Sequence, residues 1–144
     1  MTYLTRSIKD LEFVVGELKS LFKDRTIILL EGPVGAGKTE LVKALAKSLG
    51  MQEAASPSFA IHHRFESDTG LRAIYHLDLF GLQVHDDLES TVFWDLFAQK
   101  EGLVAIEWPE RVDQELLPLN WHKIKIEIKM TENQNHRAIE ISQI

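Results

Sequence analysis

The sequence predicts an α/β fold of three layers, with a mostly parallel central sheet and an antiparallel C-terminal hairpin. Three observations carry that expectation. Two short continuous apolar runs, at 26–30 and 103–106, read as strands buried on both faces, as parallel strands between helices are. A glycine-rich segment at 32–37 joins the first run to an amphipathic helix. Ile124, Ile126, Ile128 and Met130 alternate with polar neighbours, and Ile139 and Ile141 alternate again after a polar turn at 131–136. That is the pattern of a hairpin with one wet face.

The remaining elements follow in order. Residues 7–22 read as a helix, because Ile8, Leu11, Val14, Val15, Leu18, Leu21 and Phe22 recur at helical spacing. Ser7 suits its N-cap, with Asp10 in the first turn. Residues 38–49 form a second helix with Leu41, Val42, Leu45, Ala46 and Leu49 on one side and Gly50 as its stop. Residues 54–58 are a loop of small residues containing Pro57. Strands are expected at 59–65 and 71–78, joined by a polar turn at 66–70. A helix is expected over 86–100, with Leu88, Val92, Phe93, Leu96 and Phe97 apolar and Gly102 beyond its end.

The length of 144 residues suits one domain, 1–144. At this size roughly 68–70% of the unfolded surface can be buried. Hydrophobic residues at 44% and charged residues at 26% exclude a largely disordered chain. No apolar run approaches the roughly 18 residues of a membrane span. The N-terminus leads into a charged amphipathic stretch rather than a secretory signal, so the expected location is cytoplasmic. Cysteine is absent, which excludes disulfides, thiolate metal sites and cysteine nucleophiles. Sixteen basic against 22 acidic side chains leave a net charge of −6. Tight binding to nucleic acid by this chain alone is therefore disfavoured. The balance fits an enzyme, or a subunit that docks on another protein.

Gly32-Pro33-Val34-Gly35-Ala36-Gly37-Lys38-Thr39 matches G-x-x-x-x-G-K-[ST]. The glycines let the backbone curl until several N–H groups face one phosphate chain. The helix that follows points its positive end at the same anion. Lys38 is expected to reach the β- and γ-phosphates, and Thr39 to offer a hydroxyl to Mg²⁺. A chance match in a chain this short has odds on the order of one in two hundred. The strand before the loop and the helix after it are what the mechanism requires. Residues Gly32 to Thr39, with Glu40, are the expected nucleotide contacts, and the fold is that of a P-loop NTPase.

Such a loop needs a carboxylate at the end of a neighbouring strand. Asp78 ends one expected strand and Glu107 another. The shorter side chain favours Asp78 as the Mg²⁺ ligand, with Glu107 beside the metal or the attacking water. Lys38, Asp78 and Glu107 are the expected catalytic residues, and Thr39, Asp78 and Glu107 the expected metal residues. Asp78-Leu79-Phe80-Gly81 also spells D-x-x-G, but no Asn is followed by Lys, so ATP is the expected nucleotide rather than GTP. His62, His63 and His76 read as sheet surface or as hydrogen-bonding support rather than a transition-metal site. Trp108 reads as core packing or as a wall of the nucleotide site.

The combination resembles the TsaE family, formerly YjeE, small bacterial P-loop ATPases required for threonylcarbamoyladenosine formation in tRNA. The resemblance rests on the loop from Glu31 to Thr39, then Ser56-Pro57-Ser58-Phe59, Tyr75-His76-Leu77-Asp78-Leu79, Ile106-Glu107-Trp108-Pro109-Glu110 and Leu117-Pro118. It covers the chain from about residue 7 to the C-terminal hairpin. It implies an ATPase that docks on the TsaD–TsaB pair and meets tRNA only through that complex. It also implies that the 56–59 segment, with Ser58, acts as a switch-like loop near the γ-phosphate. Two departures stand out. Ser58 replaces the family's usual Thr and keeps its hydroxyl, and Leu79-Phe80-Gly81 replaces x-Tyr-Arg, removing an arginine. Two rival readings are a small-molecule kinase and a non-catalytic nucleotide sensor. The basic lid expected of the kinase is not evident in arginines scattered along the sequence.

Overall fold

A computed structural model describes residues 1–54, 63–68, 73–79, 95–98, 102–111, 115 and 117–144. Its elements are β1 (Thr2–Thr5), α1 (Ile8–Lys19), β2 (Arg25–Glu31), α2 (Lys38–Ser48), β3 (Gln52–Ala54), β4 (His63–Glu66), β5 (Ala73–Asp78), β6 (Gly102–Glu107), β7 (His122–Met130) and β8 (Arg137–Gln143). All eight strands join one sheet in the order β1-β8-β7-β2-β6-β5-β4-β3. The centre is parallel: β2 pairs with β6 and β7, and β6 with β5. Both flanks are antiparallel, β7–β8–β1 on one side and β5–β4–β3 on the other.

Alternation along the strands divides the core into two layers. On one face Ile28 and Leu30 of β2, Ile124, Ile126 and Ile128 of β7, and Ile139 and Ile141 of β8 pack under both helices. The helices contribute Val14, Val15 and Leu18 from α1, and Leu41, Val42, Leu45 and Ala46 from α2. On the other face Ile27, Leu29, Val104, Ile106 and Leu77 lie under Leu96, Phe97, Leu117 and Trp121. Trp121 donates its indole N–H to the Phe97 carbonyl at 3.1 Å, which satisfies the polar handle of a buried ring.

Several elements differ from the sequence expectation. The helix expected to 22 ends at Lys19, and Leu21 and Phe22 lie beyond it. Their apolar spacing persists because both still pack against the helix-side core. Ser7 caps α1 by accepting the Asp10 N–H at 3.3 Å, as its position predicts. The edge strands β1 and β3 were not legible as strands. Of the helix expected over 86–100, the described part includes a single 3₁₀ turn, Leu96–Ala98. Residues 86–94 and 99–100 of that helix, 55–58 of the small-residue loop, 59–62 and 71–72 of the expected strands, and 69–70 of the turn lie outside the described residues. Among those described, no helix is long and apolar enough to cross a membrane.

Candidate functional site

The glycine-rich loop runs from the end of β2 to the start of α2, at the C-terminal edge of the parallel strands. Gly37 caps α2 with φ 101°, a conformation that side chains resist. No side chain caps the helix there, so its first N–H groups remain turned toward the loop. Gly32 passes so near β7 that a Cβ would sit 2.7 Å from the Ile128 carbonyl oxygen. The Ala36 N–H closes a turn onto the Pro33 carbonyl at 3.1 Å. Pro33, Val34 and Gly35 are exposed at the tip, Ala36 is buried beneath it, and Glu40 is exposed on α2.

Lys38 is buried. Its ammonium donates to the Gly32 carbonyl at 2.7 Å and lies 3.8 Å from the centre of the Trp108 ring. Trp108 follows Glu107 directly and holds φ 60°, in the left-handed region that few bulky residues occupy. The indole packs partly against the second core layer, the packing role expected for it, and its face lies against Lys38. A second cation comes from β8: Arg137 donates to the Ala36 carbonyl at 3.1 Å and to the Gly35 carbonyl at 3.3 Å.

The two expected acids stand side by side, Asp78 paired in register with Glu107 at the ends of parallel β5 and β6. Asp78 is half-buried and Glu107 buried. The Glu107 Oε2 accepts the Thr39 hydroxyl at 3.0 Å and also accepts a hydrogen bond from His76 Nε2. Burial alone raises the Glu107 carboxyl. The hydrogen bond and charge of His76, the Thr39 bond and the Lys38 charge outweigh burial and hold it below its ordinary value. Thr39, Lys38, Glu107 and Asp78 are thus brought to one edge, while Ser58 lies outside the described residues.

His76 is wholly buried rather than at the sheet surface, and it serves Glu107. Across the β4–β5 ladder His63 is its partner in register, and the two Nδ1 atoms are 3.1 Å apart. Among the described residues, no three His, Cys, Asp or Glu side chains form a group able to hold a metal by themselves. The sequence reading allowed His76 hydrogen-bonding support without naming Glu107 as the group supported, and the reach of Arg137 to the loop escaped it. Both depend on strand register, which local spacing does not encode.

Comparison with known proteins shows the family. Residues 5–139 match the family profile described as "Threonylcarbamoyl adenosine biosynthesis protein TsaE". A tRNA threonylcarbamoyladenosine biosynthesis protein TsaE from Aquifex aeolicus is 32% identical over 133 residues, covering 85% of this chain and 92% of that protein. Its namesake from Synechocystis is 41% identical over 92 residues, 62% of this chain. The matches to the Synechocystis and Nostoc relatives span only 57% and 54% of those proteins' own lengths. The crystal structure of Bacillus subtilis YdiB superposes with a TM-score of 0.65 at 23% identity, covering 100% of this chain and 85% of that one. This supports the three-layer P-loop fold.

Proposed function

Because the chain belongs to the TsaE family of tRNA threonylcarbamoyladenosine biosynthesis, we propose that it is a Mg²⁺-dependent ATPase serving that modification through a TsaD–TsaB complex. The observation that carries the reading is the Thr39–Glu107 hydrogen bond, made beside Lys38 at the mouth of the glycine-rich loop. A hydroxyl and an ionised carboxylate held together at that place are the hard oxygen donors Mg²⁺ takes. The lack of a self-sufficient ligand cluster among the described residues also fits Mg²⁺, which is usually held by one or two carboxylates plus substrate phosphates. Thr39 and Glu107 would hold the ion, with Asp78 adjacent. This reverses the division of labour expected from side-chain length, because the contact to Thr39 comes from Glu107. When bound, the ion would offset charge developing on the phosphates.

The chain's own residues do the rest. Backbone N–H groups of Gly35, Gly37, Lys38 and Thr39 and the positive end of α2 bind the phosphate oxygens. Lys38 exchanges its Gly32 carbonyl partner for phosphate oxygen, and Trp108 keeps the ammonium directed into the loop. Asp78, at the neighbouring strand end, orients the attacking water. A cavity of about 190 Å³ beside Ala36, Gly37 and Glu40, lined also by Leu11, Ile139 and Arg137, offers apolar walls with charged groups of both signs to the nucleoside. Lys38→Ala and Thr39→Ala are expected to keep the wild-type circular dichroism spectrum and lose Mg-ATP turnover in the partner-complete reaction. Undiminished turnover in both would refute the assignment.

A further inference from the structure

We propose that the free edge of β1 is a docking surface for a second copy of this chain, the two β1 strands pairing antiparallel about a two-fold axis at Tyr3. The pairing is independent of the ATPase reading above. β1 ends the sheet, and among the described residues no strand lies beyond it. One pair sets the direction of its hydrogen bonds. The Met1 and Ile141 nitrogens each donate to the other's carbonyl at 2.9 Å, so Met1 turns its polar groups toward β8. Strand alternation then turns Tyr3 and Thr5 toward β8 as well, and Thr2, Leu4 and Arg6 outward. The outward Arg6 N–H is already taken by the Asp10 carboxylate at 2.9 Å. Thr2 and Leu4 remain, each offering one N–H and one C=O to an incoming strand.

Native sheets blunt their edges with charge, proline or a bulge. At the other end of the described sheet, β3 carries Glu53. Thr2-Tyr3-Leu4-Thr5 has no charged residue and no proline, and its register with β8 runs without interruption. The outward pattern is self-complementary. Centred on Tyr3, the pairing sets Thr2 against Leu4 of the second copy and Leu4 against its Thr2, and both pairs exchange N–H···O bonds in each direction. Tyr3 meets its own counterpart at the closely spaced, non-hydrogen-bonded position, on the face that packs against the helices. The Phe13 ring, 61% exposed, stands edge-on to Tyr3 with centroids 6.1 Å apart. Two such ring pairs gather about the axis and cover apolar surface that one chain leaves open. The opposite face is matched in charge. Glu127 and Glu140 lie in the row of Thr2, and Lys129 and Ala138 in the row of Leu4. Because Thr2 meets Leu4, the acidic row of one copy runs into the row ending in lysine on the other, and acids do not face acids. A foreign strand would find only main-chain groups here, whereas a second copy supplies the aromatic pair and the charge match as well.

Sedimentation velocity on the full chain, from low micromolar to millimolar concentration, reads the association. The mass is expected to rise from 16.5 kDa toward twice that value. A mass that stays at 16.5 kDa throughout overturns the proposal. Leu4→Pro deletes only an outward N–H, because the Leu4 nitrogen takes no part in the β1–β8 ladder, and an edge strand accepts proline at such a position. Leu4→Lys sets a charge near the axis on each chain, at a side chain already 45% exposed. Each is expected to keep the wild-type melting profile and to raise the dimer Kd at least about tenfold, since the symmetric pair loses two donors or gains two like charges. Where Leu4→Pro melts early, Leu4→Lys alone decides, and association unchanged by it rejects this edge. Disulfide trapping reads the register in a chain that has no cysteine of its own. Under mild oxidation Tyr3→Cys is expected to link two chains at least about tenfold faster than Thr2→Cys, since only residue 3 faces itself across the axis. Thr2 is exposed and Tyr3 half-buried, so random collision gives the opposite order, and that order overturns the pairing. A wild type that stays monomeric, and whose β1 amides gain protection from hydrogen exchange only when TsaD and TsaB are added, would give the edge to a partner's strand and overturn the second-copy proposal.

Discussion

Glu107 accepts hydrogen bonds from Thr39 and His76 on the same oxygen, Oε2. Two consequences belong at this scale. Glu107→Gln keeps the size but puts an amide where two donors converge. It is expected to raise the Mg²⁺ concentration needed for half-maximal ATP binding more than Asp78→Asn does. Titration of nucleotide binding against Mg²⁺ measures this, and the reverse order would return the metal to Asp78. The second concerns pH. The Glu107 carboxyl is held below its ordinary value of 4.5, so in that window the unfolded chain binds the extra proton. Its contribution to stability is complete above about 4.5 and is lost as pH falls through the lower folded value. Denaturant midpoints taken between neutral pH and pH 3 should therefore fall more steeply for wild type than for Glu107→Gln. Parallel curves would show that the buried bonds do not favour the ionised form. Lys38, Thr39, Asp78 and Glu107 were legible because a loop motif and strand ends are local features. Trp108 beneath Lys38 and His76 behind Glu107 were only partly so, since each was read with two possible roles. Which role holds depends on which strand lies alongside.

At the scale of elements, the same distinction separates what was legible from what was not. The strands β2 and β6 announce themselves as continuous apolar runs because both faces are covered, and β7 and β8 by alternation because one face is wet. The edge strands β1 and β3, of four and three residues, exist as strands through pairing with β8 and β4, distant in sequence or joined through a loop. Gln52-Glu53-Ala54 has no strand propensity to signal it. The C-terminal hairpin also has a role its pattern does not reveal, because β8 delivers Arg137 onto the loop carbonyls of Gly35 and Ala36. Those bonds tie two carbonyls of the loop to β8. Arg137→Ala is expected to weaken ATP binding about tenfold, or about 1.4 kcal/mol, toward the low end for bonds from a charged donor because the guanidinium is only half-buried. Calorimetric titration of ATP checks it. An unchanged Kd would show that the loop keeps its shape without this clamp.

The whole molecule carries a net charge of −6, and among its described residues the loop-facing cations Lys38 and Arg137 both bond backbone carbonyls of the loop. Lys38 can exchange that partner for phosphate, whereas Arg137 braces the loop itself. Gly81 stands where the resembling family carries an arginine. In P-loop enzymes a well-placed arginine contributes about 10³–10⁵ in kcat, roughly 4–7 kcal/mol of barrier. On the ATPase reading, charge building on the γ-phosphoryl group would meet Lys38, backbone N–H groups and Mg²⁺ without that arginine. The isolated chain is therefore expected to bind ATP and hydrolyse it slowly. Docking on a partner can add the missing cation or exclude water from the site. Either route makes turnover conditional on assembly, which suits an acidic chain with little attraction of its own for a polyphosphate backbone. Steady-state phosphate release from the lone protein, compared with release after adding TsaD and TsaB, should rise at least about tenfold, a small part of an arginine's full effect. A lone protein that is already fast, and gains nothing from those partners, would mark a self-sufficient ATPase. Release that stays at background in both conditions, with ATP bound normally, would mark a nucleotide sensor.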